Sequence, residues 1–222
     1  MSITLPAPRA LLFDLDGTLA DTAPDLAAAV NKMRVDRGME PTSFEILRPL
    51  ASAGARGLIG AAFSIGPGDD AYDEMRHEFL ANYAASIATH TTLFDGIPPL
   101  LESISQLGLA WGIVTNKPAL YTDALVPQIG LQHAACVISG DTTPHAKPHP
   151  APLFEAARRL QLAPQECWYV GDDLRDINAG KAAGMPTIAA AWGYCGHTEP
   201  AEWLADLIAA DPLDLLPLLP RP

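Results

Sequence analysis

Cations are scarce in this sequence. Fourteen lysines and arginines face 26 aspartates and glutamates, for a formal charge of −12, and only four of those cations are lysines. Affinity for a phosphate backbone requires clustered Lys and Arg, so nucleic acid is not expected as a partner. An anionic small molecule would have to be held by a few local cations or a bound metal ion. Cysteine is scarcer still. Cys136, Cys167 and Cys195 are odd in number, far apart and free of any CxxC spacing, which argues against a disulfide framework or a zinc site and for a reducing cytoplasm. Although 49% of the residues are apolar, no uninterrupted run approaches the roughly 20 that a membrane-spanning helix needs. Arg9 precedes an apolar run that soon meets Asp14 and Asp16, charges that no signal-peptide core carries. His77, His90, His133, His145, His149 and His197 show no metal-ligand spacing on a helix face, and the pair flanking Lys147 reads as exposed loop histidines.

What is present is an α/β rhythm. Length alone, 222 residues, favours one domain with an insertion or two small domains. ALLFDLD (10–16), AWGIVTN (110–116), ACVISGD (135–141), CWYVGDD (167–173) and TIAAAWG (187–193) are near-continuously apolar and end in polar residues, as parallel strands covered on both faces do. Between them PPLLESISQLG, PALYTDALVPQIG, APLFEAARRLQL and LRDINAGKAAG read as helices, with Gly108, Gly130 and Gly184 placed as C-terminal caps. The alternation predicts a doubly wound parallel sheet. Residues 22–92 break it: they read as helices with no convincing strand, too long for a loop, and THTTLFDGIPP leads back into the pattern. The expected organisation is a core of 1–21 and 93–222 with a helical insertion over 22–92. The proline-rich tail DPLDLLPLLPRP is expected to pack on the core through its leucines.

Ligands of open α/β sheets bind outside the carboxyl ends of the strands. There the sequence puts Asp14 and Asp16, then Thr115 and Asn116, then Asp172 and Asp173, with Lys147 in HAKPHP just ahead of a helix. Residues two apart on a strand point the same way, so Asp14 and Asp16 can address one site, although Asp and Gly are also ordinary turn residues after a strand. Carboxylates at the end of an apolar strand are costly unless a cation pairs with them. Mg²⁺, a hard ion taking carboxylates, phosphate and water, is the expected partner, with Asp14 and Asp172 as ligands. Asp173 and Asp176 either bind it directly, orient its neighbours, or simply favour a helix N-terminus. Asp14 can then attack phosphorus, Asp16 can protonate the leaving oxygen and later activate water, and Thr115 and Lys147 can hold the phosphoryl oxygens.

FDLDGT, VTNK, AKPHP and VGDDLRDI, in that order and spacing, resemble the four motifs of the haloacid dehalogenase-like hydrolase superfamily along essentially the whole chain. The resemblance implies a Rossmann-like core with a helical cap inserted after the first motif, a Mg²⁺ cofactor with Asp14, Asp16 and Asp172 as the metal set, and the roles just given to Asp14, Asp16, Thr115 and Lys147. Asp16 speaks against a true dehalogenase, since members that cleave carbon–halogen bonds generally lack it. ASAGARGLIG, TLFDG, WGIVTNKP and VGDDLRDI further look like phosphoglycolate phosphatases and N-acetylmuramic acid 6-phosphate phosphatases. The implied activity is hydrolysis of a small phosphorylated metabolite, phosphoglycolate phosphatase-like, with the muramic acid phosphatase and a sugar-phosphate mutase as alternatives, by a monomer or homodimer.

A cap that closes over the core excludes water and adds specificity contacts. In SAGARG (52–57) the small residues around Arg56 suggest a turn that can approach a ligand, its guanidinium offered to a carboxylate or sugar oxygen. Arg56 reads equally as a surface charge at a helix start. Thr115, Asn116, Lys147 and Arg56 form the expected substrate-binding set.

Overall fold

The computed structural model of the protein describes residues 5–196 and 198–220; the outermost ends of the expected core and His197 lie outside them. Six strands form one parallel sheet: β1 (Ala10–Phe13), β4 (Ala110–Val114), β5 (Val137–Ile138), β6 (Cys167–Gly171), β7 (Thr187–Ala190) and β8 (Leu207–Ala209). Their order is β5-β4-β1-β6-β7-β8. The chain builds outward from β1 through β4 to β5, then returns to the other side of β1 for β6, β7 and β8. That reversal is a topological switch point, where the strand ends leave a crevice.

Alternation along the strands explains the layers. On β1, Ala10 and Leu12 face one way, into a core with Leu153 and Ala156 of α7 (Ala151–Leu160) and Ala179 of α8 (Leu174–Ala183). Leu11 and Phe13 face the other, against Leu100 and Ile104 of α5 (Ile97–Gln106) and Tyr121 and Leu125 of α6 (Ala119–Leu125). Both faces are thus covered by helices, and successive side chains serve opposite cores. All five expected strands are present. β8 was not expected, since LIA is three residues at the sheet edge with only Ala209 buried. Helix α6 ends at Leu125, short of the glycine at 130; Pro127 follows, and a prolyl nitrogen cannot continue the helical bonding. The tail forms a 3-10 helix (Pro212–Leu218) that buries Leu215, with Leu219 buried just beyond it.

Between β1 and α5 the chain crosses out through β2 (Ala20–Asp21) and back through β3 (Thr92–Leu93), which pair antiparallel. Between these crossings lie α1 (Ala23–Asp36), α2 (Phe44–Leu47), a 3-10 turn (Arg48–Ala53), α3 (Gly54–Phe63) and α4 (Tyr72–Ala85). Helix α1 buries Ala23, Leu26, Ala27, Val30 and Met33, a stripe at helical spacing. Its start is held from the core: Tyr194 Oη accepts from Thr22 N (2.8 Å) and Ala23 N (2.9 Å) and donates to Asp21 (3.0 Å). The return crossing is fixed on Asp25, which accepts from the amides of His90 and Thr91 and from the Thr91 hydroxyl. No helix among the described residues is long and apolar enough to cross a membrane.

Candidate active site

The parallel ladder delivers three polar residues to one edge. Asp14 N still bonds to Val170 O (2.9 Å) and Thr115 N to Ile138 O (2.9 Å), so each is the first residue beyond its strand, and Asp172 follows β6 in the same way. Asp14, Asp172 and Asp176 offer carboxylate oxygens all within 4.8 Å of one another, and all three are buried. Lys147 Nζ lies 2.9 Å from Asp14 Oδ1 and 2.7 Å from Asp176 Oδ1, and it donates to Val114 O (2.9 Å) and to Tyr169 Oη (2.8 Å). Asp14 Oδ1 also accepts from Leu15 N (2.8 Å); no bond to its Oδ2 is made among the described residues.

Three carboxylates around one ammonium leave the cluster short of positive charge. Burial is the largest cause that pushes Asp14 up from 3.8 to about 7; Asp176 and Asp16 add to it while Lys147 opposes. Burial, then Asp14 and Asp176, hold Asp172 well above the ordinary carboxylate range. Burial works against the charge of Lys147, but Asp14 and Asp176 outweigh it and hold the ammonium above the ordinary lysine value. A hard divalent cation with oxygen ligands fits this donor set, because it supplies the missing charge. Asp172 is further held by Thr18 Oγ1 (2.8 Å) and Tyr194 N (3.0 Å). Backbone approaches it closely: Gly17 has φ +88°, and a Cβ there would lie 2.1 Å from Asp172 Oδ2, which is why the turn after FDLD carries glycine.

The expected site residues separate into groups. Asp14, Lys147 and Asp172 converge, and Asp176 joins them: its Oδ1 faces Lys147, while its Oδ2 accepts from Asp173 N (3.1 Å) at the start of α8. Asp173 instead caps α8, accepting from Arg175 N (2.8 Å). The Asp16 carboxylate stands outside the three-acid cluster. Its Oδ1 accepts from Thr22 Oγ1 (2.6 Å) and Lys117 Nζ (2.8 Å); no bond to Oδ2 is made among the described residues. Thr115 is buried and its Oγ1 accepts from Lys117 N (3.1 Å). The Asn116 side chain is engaged with the Lys147 backbone at both ends, Nδ2 to O and Oδ1 from N, each at 2.9 Å, so its amide positions Lys147. Arg56 is exposed in the first turn of α3. His145 and His149 are exposed, with rings 4.4 Å apart.

These groups surround a cavity of about 370 Å³ whose lining includes Asp14, Asp16, Thr115, Lys117, Lys147 and Asp176 from the core side and Ser52, Arg56, Tyr72, Arg76 and Tyr83 from the helical segment. Lys117 was overlooked, although VTNK carries it two residues after Thr115; its ammonium also lies 4.7 Å from the Tyr83 ring centre. Tyr169, a polar handle in an apolar strand, was a readable signal as well. Arg175, which joins Asp173 to the carbonyl of Ser52 (2.7 Å), had none, because its partner is 123 residues away.

Known proteins resemble this chain in sequence and fold. The haloacid dehalogenase-like hydrolase family matches residues 11–190. A phosphoglycolate phosphatase of Xanthomonas campestris pv. campestris is 46% identical over 94% of this chain and 95% of its own. An N-acetylmuramic acid 6-phosphate phosphatase of Pseudomonas putida is 41% identical over 93% and 94%. Among solved structures, a predicted phosphoglycolate phosphatase from Haemophilus somnus 129pt superposes with a TM-score of 0.85 at 26% identity, covering 95% of this chain and 97% of that one. With the motifs at the strand ends and a match over most of its length, the chain belongs to the haloacid dehalogenase-like hydrolases.

Proposed function

We propose that the protein is a phosphomonoesterase that hydrolyses a small phosphorylated metabolite through an aspartyl-phosphate on Asp14. The observation that carries this reading is the Oδ2 of Asp14, unpartnered among the described residues, beside a buried ammonium and two further buried acids. Asp14 and Asp172 would hold Mg²⁺, with Asp176 beside them; the ion would offset the negative charge of the phosphoryl group and keep Asp14 ionised. Asp14 Oδ2 attacks phosphorus, and the Lys147 ammonium and Thr115 hydroxyl take phosphoryl oxygens. The bond from phosphorus to the ester oxygen breaks, and Asp16 gives that oxygen its proton. Asp16 then takes a proton from the water that cleaves the phospho-aspartate, releasing inorganic phosphate and free Asp14. Thr22 and Lys117 fix Asp16 by one oxygen, which leaves the other for these transfers.

Residues 22–92 serve in this reading as a cap domain that closes the site against water, and three unpaired thiols suit a cytoplasmic enzyme. Phosphoglycolate is the first substrate to test, by likeness to the Xanthomonas relative. A cavity of about 370 Å³ falls in the range that takes drug-sized ligands, which keeps N-acetylmuramic acid 6-phosphate beside it. The test is phosphate release from both esters with Mg²⁺. Asp14→Asn should lower kcat at least about 10³-fold, and chelation should abolish turnover. Activity that survives either change refutes the mechanism.

A further inference from the structure

The cations on the helical side of the cavity are unspent. Of the 13 described lysines and arginines, nine pair with an acid: Arg9, Lys32, Arg37, Arg48, Lys117, Lys147, Arg158, Arg159 and Arg175. Arg34 is bound to the carbonyls of Glu40 and Ala62. That leaves Arg56, Arg76 and Lys181 without an acidic partner among the described residues, in a chain where acids outnumber bases 26 to 14. Two of those three line the cavity. An acidic protein that leaves two guanidiniums unpaired at one cavity presents a local positive field to whatever enters.

Their placement is not incidental to the fold. Tyr72, Arg76, Phe79, Leu80 and Tyr83 all line the cavity from α4, at the i, i+4, i+7, i+8, i+11 spacing of one helix face. Arg76 is the single charge on this otherwise apolar and aromatic stripe. Arg56 lines the same cavity from the first turn of α3. At the far end of the stripe the buried Tyr83 hydroxyl has no hydrogen-bond partner among the described residues. The phosphoryl group already has Lys147 and Thr115, so these helical-side groups face the remainder of the substrate.

We infer that Arg56 and Arg76 form a second anion subsite, selecting phosphomonoesters whose leaving group carries a carboxylate. The inference rests on the phosphatase reading for the identity of the first anion, and it narrows that reading to a substrate class. A guanidinium matches a carboxylate bidentately, and a charge-assisted bond in a partly enclosed site discriminates strongly against a ligand that lacks it. Both named relatives carry acids in their substrate names, so the subsite is compatible with either.

Matched ester pairs test it. The first is 2-phosphoglycolate against ethyl phosphate; the second is N-acetylmuramic acid 6-phosphate against N-acetylglucosamine 6-phosphate, which lacks the lactyl carboxylate. For the better pair, the acid is expected to exceed its neutral partner in kcat/KM by ~10–100-fold. Arg56→Gln and Arg76→Gln should each collapse much of that ratio while changing the neutral ester less than about threefold. A ratio unmoved by both substitutions, or a bisphosphate preferred to either acid, overturns the subsite. Binding separates this outcome from a failure of the chemistry. Calorimetry of the two acids on Asp14→Asn, with and without Arg76→Gln, should show affinity falling about tenfold or more in the double variant. Weakened binding in the double variant, alongside a parent protein that releases no phosphate from either acid, upholds the subsite and refutes the phosphatase reading; equal binding with and without Arg76→Gln, or none, refutes the subsite.

Discussion

Lys147→Met isolates the electrostatics of the core site. The substitution keeps the aliphatic stem but removes an ammonium that is 2.9 Å from Asp14, 2.7 Å from Asp176 and bonded to Val114 O and Tyr169 Oη. Removing one member of a buried ion pair costs about 3–5 kcal/mol, because the other charge stays behind uncompensated. Its pH dependence follows from the partners. The folded value of Lys147 lies above 10.5, so the lysine is fully charged below 10.5 and its own titration contributes no variation between pH 5 and 8. Asp14, raised to about 7, is protonated in the fold at pH 5 and mostly ionised at pH 8. The metal-free variant should therefore lose ~3–5 kcal/mol at pH 8 but only about 1–3 kcal/mol at pH 5, where Asp14 is already neutral and the ammonium's hydrogen bonds are what is lost. With an m-value of about 2–3 kcal/mol/M in urea, the midpoint shift at pH 8 is about 1–2 M. Urea titrations of both proteins in chelator, followed by the fluorescence of the buried Trp168, measure it. A loss equal at the two pH values, or below about 1 kcal/mol at pH 8, refutes the claim that this ammonium holds the acid cluster together.

Asp14→Asn should behave oppositely in the absence of metal. A carboxyl raised from 3.8 to about 7 costs the fold stability progressively as pH rises through that window and in full above it; the variant's Tm minus the parent's should therefore rise from pH 4 to 8, and a difference that falls with pH contradicts the direction of the shift. Gly17→Ala puts a Cβ 2.1 Å from Asp172 Oδ2 at φ +88°, so a stability loss above about 2 kcal/mol together with loss of phosphate release is expected in parallel denaturation and activity assays. Arg175→Met cuts the link from Asp173 to the Ser52 carbonyl without touching Lys147 or Asp14; KM should rise about tenfold with kcat within about threefold, and an unchanged KM would show that the link does not order the 52–56 turn. Tyr194→Phe strips a hydroxyl that serves Thr22 N, Ala23 N and Asp21, at a cost of about 1–3 kcal/mol, which calorimetry should read as a Tm lower by about 3–10 °C.

What the sequence made legible, and what it did not, follows the periodicities of the two parts. In the sheet a buried strand is one apolar run, so the first polar residue after it is both the strand end and the crevice; Asp14, Thr115 and Asp172 could be placed on one edge from sequence alone. Lys147 was legible for a related reason, since an isolated lysine in a lysine-poor chain stands out just ahead of a helix. Lys117 is not singled out by the same scarcity, because three polar residues end this strand and only the packing shows that the third reaches back to Asp16 and Tyr83. Asn116 lines the cavity as expected, but its amide's bonds to the Lys147 backbone, a positioning role, were not legible. Asp16 illustrates a different limit. Alternation puts it on the same side as Asp14, but the chain turns at Gly17, and the Thr22 hydroxyl and Lys117 then draw its carboxylate away from the three-acid cluster.

On the helical side no such marker exists. A helix presents every third or fourth residue to the cavity, and the polar residues on α4 are mostly solvated, so Arg76 looks like Asp73, Glu74 or His77 until the packing fixes which stripe faces inward. Asp14, Thr115 and Asp172 sit at strand ends, where open α/β sheets bind their ligands and the ladder fixes the backbone. The proposed selection among esters would fall to helix faces, where a residue can be exchanged without disturbing the sheet. On the proposed reading, the same division would let relatives with different named substrates match this chain over more than nine-tenths of its length: the acids and lysines proposed to act on phosphorus sit at the strand ends of the sheet, whereas a different leaving group would need changes only among cavity-lining residues such as Arg56, Arg76 and Tyr83.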